Sequence, residues 1–308
     1  MKLWHPPPPS IAVPLLAALW LFNRSYEGIW HDSLLYTAIA LQLISPENFQ
    51  GDLFFQFGSQ GSYTLFPQLH AFMFGLLGLE MATPLLLLVA HFLWLSGLIF
   101  LFSRFLSGWP LWLGLTAVVL LDSHYGGFRV FAYGEPFLTP RPFAEALTLW
   151  ALGATLACRP LLAGGMFALA ALFHPVMALP GLTVLALILA FQQRLLLALF
   201  PFGAGILWSL AWMDIPPFTA FFETLDSRWG EVLRVRSPYL FPSHWPTPNH
   251  IRIVWDLGVC LLAVIANLGG KSRFLAAIGL TGLSGLAVSL IGGEWLHNAF
   301  ILQIQPWR

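Results

Sequence analysis

The sequence predicts an all-α, polytopic membrane protein in which about nine or ten apolar helices form a bundle. Of the 308 residues, 58% are hydrophobic and only 9% are charged, whereas about a quarter of the residues are charged in an average soluble domain. Mean hydropathy is +0.75, and 14 basic residues balance 14 acidic ones. These charges are too few to cover a water-facing surface, and no basic excess is available to hold nucleic acid. The lipid bilayer is therefore the expected surroundings of most of the chain.

Nine apolar stretches are long enough to be membrane helices when neighbouring helices support their ends. They cover residues 10–23, 84–105, 109–121, 142–158, 160–173, 176–191, 195–212, 251–268 and 274–291. A tenth helix is expected to begin near Ala299 and to be cut off at Arg308. We expect one transmembrane domain over residues 1–308, incomplete at its C-terminus. Residues 10–80 hold the first span and its outer loop, and residues 84–308 hold the other spans.

Cations in the short loops predict the orientation, because cytoplasmic loops carry an excess of Lys and Arg. Residues 64–79 form a short stretch that contains Pro67, and we expect them to lie along the membrane or partway into it. The polar loops at residues 24–62, 122–141, 214–250 and 293–298 then face outward, which favours a site at the outer membrane surface. The cations placed on the cytoplasmic side are Lys2, Arg104, Arg159, Arg194, Lys271 and Arg273.

The first outer loop carries a carboxylate at the start of a predicted amphipathic helix. Asp32 and Ser33 are residue types that begin helices. From Asp32 to about residue 44, the helical period places Leu35, Ile39 and Leu43 on one face. Such a helix would lie on the membrane surface and hold Asp32 above the end of the first span. The residues leave three roles open for Asp32, namely general base, metal ligand and helix cap.

The order of segments over residues 10–80 is more specific. One short span precedes a long outer loop that opens with Asp32 and a helix containing Tyr36, followed by Gly51-Asp52 and a helix that contains Pro67. This order resembles the GT-C superfamily of integral-membrane glycosyltransferases, which use polyprenyl-phosphate-linked sugars and include the bacterial mannosyl and aminoarabinose transferases. Beyond residue 80, only the general arrangement of spans and loops resembles that superfamily.

The resemblance implies that Asp32 is the catalytic or metal-binding carboxylate, with Mg or Mn as the metal. It implies transfer of a sugar from a polyprenyl-phosphate lipid to an acceptor at the periplasmic face of a bacterial inner membrane. Many such relatives have Asp-Glu where this chain has Asp32-Ser33, so a catalytically inactive assembly partner stays open. A transporter or flippase for a lipid or polar solute is a further alternative, because charges inside a helix bundle can mark a substrate path.

The second outer segment places a cation at the start of a helix. Pro140 and Pro142 give a rigid entry into the next span, and Arg141 lies at its N-terminus. A guanidinium beside free backbone N–H groups favours a phosphate. Glu135 and Glu145 can instead pair with Arg141 as a structural clamp, and both arrangements stay open. Glu145 lies one turn into the span and should face the bundle interior.

His174 precedes a proline between two spans and can either bond a phosphate or sugar hydroxyl or serve as a packing residue. The chain contains no glycine-rich phosphate loop and has no room for a cytoplasmic nucleotide domain, so a lipid-linked donor fits it better than a nucleotide sugar. We predict that Arg141, with Arg129 or His174, stabilises the leaving phosphate. The predicted substrate-binding residues are His31, Tyr36, Asp52, Arg129, Glu135, Arg141 and His174.

Overall fold

The protein is nearly all helical. A computed structural model describes residues 5–57, 60–215, 218–267 and 270–307, and 77% of it is helix. The helices group into two compact units. Unit 1 comprises Met1–Ser123 and Tyr133–Gly181, and unit 2 comprises His124–Ala132 and Leu182–Arg308. Both units fall within the single transmembrane domain expected over residues 1–308. Lys2 and Arg308, which were named in the predictions, lie outside the described residues.

Unit 1 contains most of the predicted N-terminal spans and the loop predicted to be the first outer one. Its helices are α1 (Pro9–Asn23), α2 (Asp32–Ile44), α3 (Leu53–Gln56), α4 (Phe66–Leu77), α5 (Leu79–Phe102), α6 (Gly108–Leu120), α7 (Arg141–Leu156), α8 (Pro160–Phe173) and the beginning of α9 (Pro175–Gln192). Helix α5 lies at the centre, because α1, α4, α6 and α7 all pack against it.

Glycines allow α5 and α7 to approach closely. A Cβ added at Gly97 of α5 would lie 2.9 Å from a ring carbon of Trp150, and one added at Gly153 of α7 would lie 2.5 Å from a ring carbon of Phe100. Membrane helices gain little from hydrophobic burial against each other, so van der Waals contact between backbones brought close by small residues holds them together. The α5–α7 pair is therefore the rigid support of unit 1.

A second close approach fixes the segment that leads into α7. Gly134 has a φ of +60°, and a Cβ there would lie 2.2 Å from Cζ2 of Trp20. Trp20 is 1% exposed and stacks on Trp94 of α5 with ring centroids 4.4 Å apart. Trp94 in turn stacks on Tyr133, at 5.6 Å. The segment around Tyr133 and Gly134 is thus held against α1 and α5 by the stacked rings of Trp20, Trp94 and Tyr133.

Unit 2 combines a small β-hairpin with the remaining helices. Strands β1 (His124–Tyr125) and β2 (Phe131–Ala132) pair antiparallel, with His124 opposite Ala132. The unit's helices, besides the end of α9, are α10 (Leu199–Trp212), α11 (Ser227–Arg236), α12 (Thr247–Ile265), α13 (Ser272–Val288) and α14 (Ala299–Ile304). Helix α13 continues into a π-helix at Ser289–Trp295.

The helix boundaries confirm most of the predicted apolar stretches as helices. Among the described residues, four helices are long and apolar enough to cross a membrane: Leu79–Phe102, Pro175–Gln192, Thr247–Ile265 and Ser272–Trp295. The first begins five residues before the predicted start at Pro84, because a proline in the second helical turn costs a hydrogen bond without ending the helix. The other apolar helices are shorter, and nine or ten spans stay a prediction, as does the orientation.

Two predictions about helices are confirmed only in part. The expected tenth helix begins at Ala299 as predicted and ends at Ile304, because Gln305 adopts a left-handed conformation with a φ of 48°. In α2, Ile39 of the predicted apolar face is buried, whereas Leu43 is 46% exposed. The buried face is centred one position away from the predicted one, because Tyr36, Ile39 and Ala40 pack against α4 and the beginning of α5.

We predict that Gly134→Ala destabilises the protein, because the new Cβ meets a buried indole and the residue must keep a positive φ. The expected loss is about 2 kcal/mol or more in the free energy of unfolding, measured by thermal or chemical unfolding in detergent. Gly164→Ala in α8 is the matched control, because its Cβ meets nothing within 4 Å. Equal stability of the two variants would contradict the tight contact at Gly134.

Candidate functional site

A buried arginine joins two carboxylates in unit 1. Arg141, the first residue of α7, is 6% exposed. Its Nη1 donates to Oδ2 of Asp32 at 2.8 Å, and its Nη2 donates to Oε1 of Glu135 at 2.8 Å. A guanidinium presents its N–H groups in a rigid planar fork, which suits it to hold two acceptors in fixed positions. The beginning of α2 and the segment that leads into α7 are therefore joined at one side chain. We call these three residues the Arg141 cluster.

Local chain geometry fixes Glu135 and Arg141 in the cluster. Thr139 Oγ1 donates to Oε2 of Glu135 at 2.7 Å and accepts from the backbone N–H of Arg141 at 3.3 Å. Both carboxylate oxygens of Glu135 are thereby hydrogen-bonded, which a 3% exposed carboxylate requires. Pro140 and Pro142 on either side of Arg141 restrict the backbone at the start of α7.

A second hydrogen-bond chain holds the backbone of Glu135. The indole N–H of Trp20 donates to Nδ1 of His91 at 3.1 Å, and Nε2 of His91 lies 2.9 Å from the carbonyl oxygen of Glu135. An indole N–H can only donate, so Nδ1 of His91 accepts and its Nε2 carries the hydrogen that reaches Glu135. Sequence reasoning missed Trp20 and His91, because each is a single polar group within an apolar stretch.

Asp32 is the accessible member of the Arg141 cluster. Its side chain is 28% exposed, and its Oδ1 lies 3.3 Å from Nδ1 of His31. The rings of Trp30, His31 and Phe137 pack together with centroids 5.5 to 5.9 Å apart. Asp32 therefore has one carboxylate oxygen, Oδ2, fixed by Arg141, while its side chain stays partly exposed.

The predicted capping role of Asp32 is not what its carboxylate does. His31 occupies the N-cap position of α2 and makes no side-chain capping bond. The carboxylate of Asp32 bonds to Arg141 instead. Its place in the first turn still favours a negative charge, because the helix N-terminus carries a partial positive charge.

Glu145 does not form the ion pair with Arg141 that the sequence left open. Its Oε2 accepts from the backbone N–H of Gly134 at 3.2 Å. The clamp on Arg141 expected from sequence does form with Glu135, but its second carboxylate is Asp32 rather than Glu145. The two carboxylates carry one more charge than the single guanidinium, so the Arg141 cluster has a formal charge of −1 when both carboxylates are ionised. Stabilisation of a leaving phosphate by Arg141 stays a prediction.

Of the other predicted site residues, Tyr36 lies near the Arg141 cluster and the rest make contacts outside it. Tyr36 is 5% exposed, packs edge-on against Phe66 at 5.6 Å and interacts electrostatically with Arg141. Asp52 accepts from the backbone N–H of Phe54 at 2.8 Å and caps α3. His174 Nδ1 accepts from the backbone N–H of Met177 at 3.2 Å. Arg129 belongs to unit 2. Substrate contacts by these residues stay predictions.

Unit 1 has another guanidinium at the C-terminal end of α1. The guanidinium of Arg24 lies 5.1 Å from the centre of the Trp20 ring and 5.8 Å from that of Tyr133, a cation–π arrangement. Partial burial lowers the pKa of Arg24, and the nearby charges of Tyr133 and Asp122 partly offset that effect. Arg24 thus packs on the same aromatic side chains that hold the segment leading into α7.

The described residues do not assemble a metal centre. Within the described part of the chain, no group of three His, Cys, Asp or Glu side chains could hold a metal ion. At the predicted position, Asp32 gives one oxygen to Arg141 and has His31 beside the other. The residues present therefore do not fit a Mg or Mn ion there, and the chemistry of the cluster is that of a positioned carboxylate.

Comparison of the chain with protein-family models, with curated proteins and with solved structures finds no match. Its site is accordingly interpreted from its own geometry.

Substituting Arg141 tests the ion pairs. We predict that Arg141→Gln lowers the free energy of unfolding by about 3–5 kcal/mol, because it leaves the buried carboxylate of Glu135 without a counter-charge. Arg141→Lys should lose less, since an ammonium keeps the charge but not the planar fork. Arg159→Gln, at an exposed cation that begins α8, is the control for charge alone. A loss equal to that of the control would show that the cluster does not stabilise unit 1.

Proposed function

We propose that the protein is a multi-pass membrane enzyme that transfers a sugar from a polyprenyl-phosphate-linked donor to an acceptor hydroxyl. The reaction would take place at the periplasmic face of a bacterial inner membrane, with Asp32 as the general base. One observation carries the proposal: the partly exposed carboxylate of Asp32 is held in place by a buried guanidinium. Four helices long and apolar enough to cross a membrane are compatible with a donor that is itself a lipid.

The geometry of Asp32 supports its role as base. A general base must lie within hydrogen-bond reach of the proton it removes, in a fixed orientation. Arg141 holds Oδ2 of Asp32 at 2.8 Å. Oδ1 has His31 at 3.3 Å, but a carboxylate oxygen has a second lone pair that can accept from an acceptor hydroxyl. Glu135 and Thr139 hold Arg141 in turn, so Arg141 acts as a positioning residue for the base.

The proposed step transfers one proton and exchanges one bond. The acceptor hydroxyl gives its proton to Oδ1 of Asp32, and its oxygen forms a bond to the anomeric carbon of the donor sugar. The bond between that carbon and the polyprenyl-phosphate oxygen breaks, and the phosphate leaves with the electron pair. No redox partner is needed.

A catalytically inactive assembly partner is the second candidate. The observation that favours it is the completeness of the Arg141 cluster, in which both N–H arms of the guanidinium already have carboxylate acceptors. In that case Asp32 is a structural residue, and its charge matters for stability rather than for turnover.

Asp32→Asn separates these two candidates. The amide keeps an oxygen that can accept from Arg141 but cannot take up a proton as a base, so turnover should fall by about 10²–10⁴ while the protein stays folded. The assay follows release of polyprenyl phosphate from radiolabelled polyprenyl-phosphate mannose and polyprenyl-phosphate aminoarabinose in membranes that contain the protein.

Glu47→Gln is the matched control, since it makes the same acid-to-amide change at an exposed site in the same loop. Full turnover in Asp32→Asn would remove Asp32 as the base. No turnover by the folded wild-type protein with either donor would favour the assembly partner.

A further inference from the structure

Unit 2 contains a groove of about 450 Å³ where three helices end. Phe191 lies near the C-terminal end of α9, Val264 lies near the C-terminal end of α12, and Ser272 begins α13. This volume is in the range of small-molecule pockets in proteins. The groove is lined by Ala190, Phe191, Arg194, Val264, Ser272, Arg273 and Ala276.

The polar side of the groove is strongly cationic. Arg194 and Arg273 both line it, and no acidic side chain is among its described lining residues. Guanidinium groups bind phosphate oxygens through paired N–H donors. The hydroxyl of Ser272 adds a donor at the N-terminus of α13, where the helix dipole also favours an anion. The groove therefore suits a phosphate group.

The other side of the groove is apolar. Phe191, Val264 and two alanines present hydrocarbon surface beside the arginines. A free phosphate ion gains nothing from such a wall, whereas a phospholipid has acyl chains that would lie against it. Helices α9, α12 and α13 are among those long and apolar enough to cross a membrane, so their ends are expected at the level of lipid head groups.

We propose that this groove binds the phosphate head group of an anionic phospholipid. The two arginines hold the phosphate, and the apolar wall receives the beginning of an acyl chain. Basic pockets between the ends of membrane helices are a general means of recognising such lipids. The site uses none of the residues of the Arg141 cluster and is independent of the function proposed for Asp32.

Native mass spectrometry of the full chain tests the site. The protein is purified in detergent, exchanged into micelles that contain equal amounts of phosphatidylcholine and phosphatidylglycerol, and examined for retained lipid. The wild-type protein should retain phosphatidylglycerol preferentially. In the double variant Arg194→Gln/Arg273→Gln, the retained amount of phosphatidylglycerol should fall at least about tenfold. The melting temperature should not change, because both arginines are exposed.

Arg159→Gln is the control, because it removes an exposed cation that does not line the groove. It should retain phosphatidylglycerol as the wild-type protein does. Equal retention of both lipids by the wild-type protein, or undiminished retention by the double variant, would overturn the proposal. Displacement of phosphatidylglycerol by inorganic phosphate alone would overturn the lipid assignment and identify a free phosphate as the ligand.

Discussion

The organisation of unit 1 depends on the demand of one buried guanidinium for counter-charges. Arg141 is 6% exposed, and an unpaired charge in that environment would cost several kcal/mol. The carboxylates that satisfy it come from two different segments, Asp32 at the beginning of α2 and Glu135 in the turn before α7. Because both must reach the same fork, the start of α2 is positioned against the start of α7.

The surrounding groups make this arrangement specific. Thr139 uses its hydroxyl to join Glu135 to the backbone of Arg141. Trp20 and His91 fix the carbonyl of Glu135 from α1 and α5. Groups outside the Arg141 cluster thus hold Glu135 and Arg141, whereas Asp32 is the member whose side chain is partly exposed. The role of base proposed for Asp32 depends on this difference in exposure.

The apolar stretches and the prolines predicted the helices well, because a long apolar run can satisfy its backbone in a membrane only as a helix. Prediction was weaker where tertiary contacts decide. The face that α2 buries carries Ser33 and Tyr36 rather than Leu43, since α4 and α5 determine which side is covered.

The partners of Arg141 show the same limit. Sequence proximity suggested Glu135 and Glu145, and only the first is correct. Asp32 lies 109 residues away, and no local pattern could pair it with Arg141. The link between Trp20 and His91 is equally non-local. Candidate residues could therefore be named from sequence, whereas their assembly into one cluster could not.

A double-mutant cycle between Asp32 and Arg141 tests the central claim most directly. The free energy of unfolding would be measured in one detergent for the wild-type protein, Asp32→Ala, Arg141→Gln and the double variant, since alanine leaves no acceptor for the guanidinium. We predict a coupling energy of at least about 1 kcal/mol, because the two side chains share a direct ion pair and a common partner network. Effects that add to within about 0.3–0.5 kcal/mol would show that the two residues do not interact, and would contradict the cluster on which the site is built.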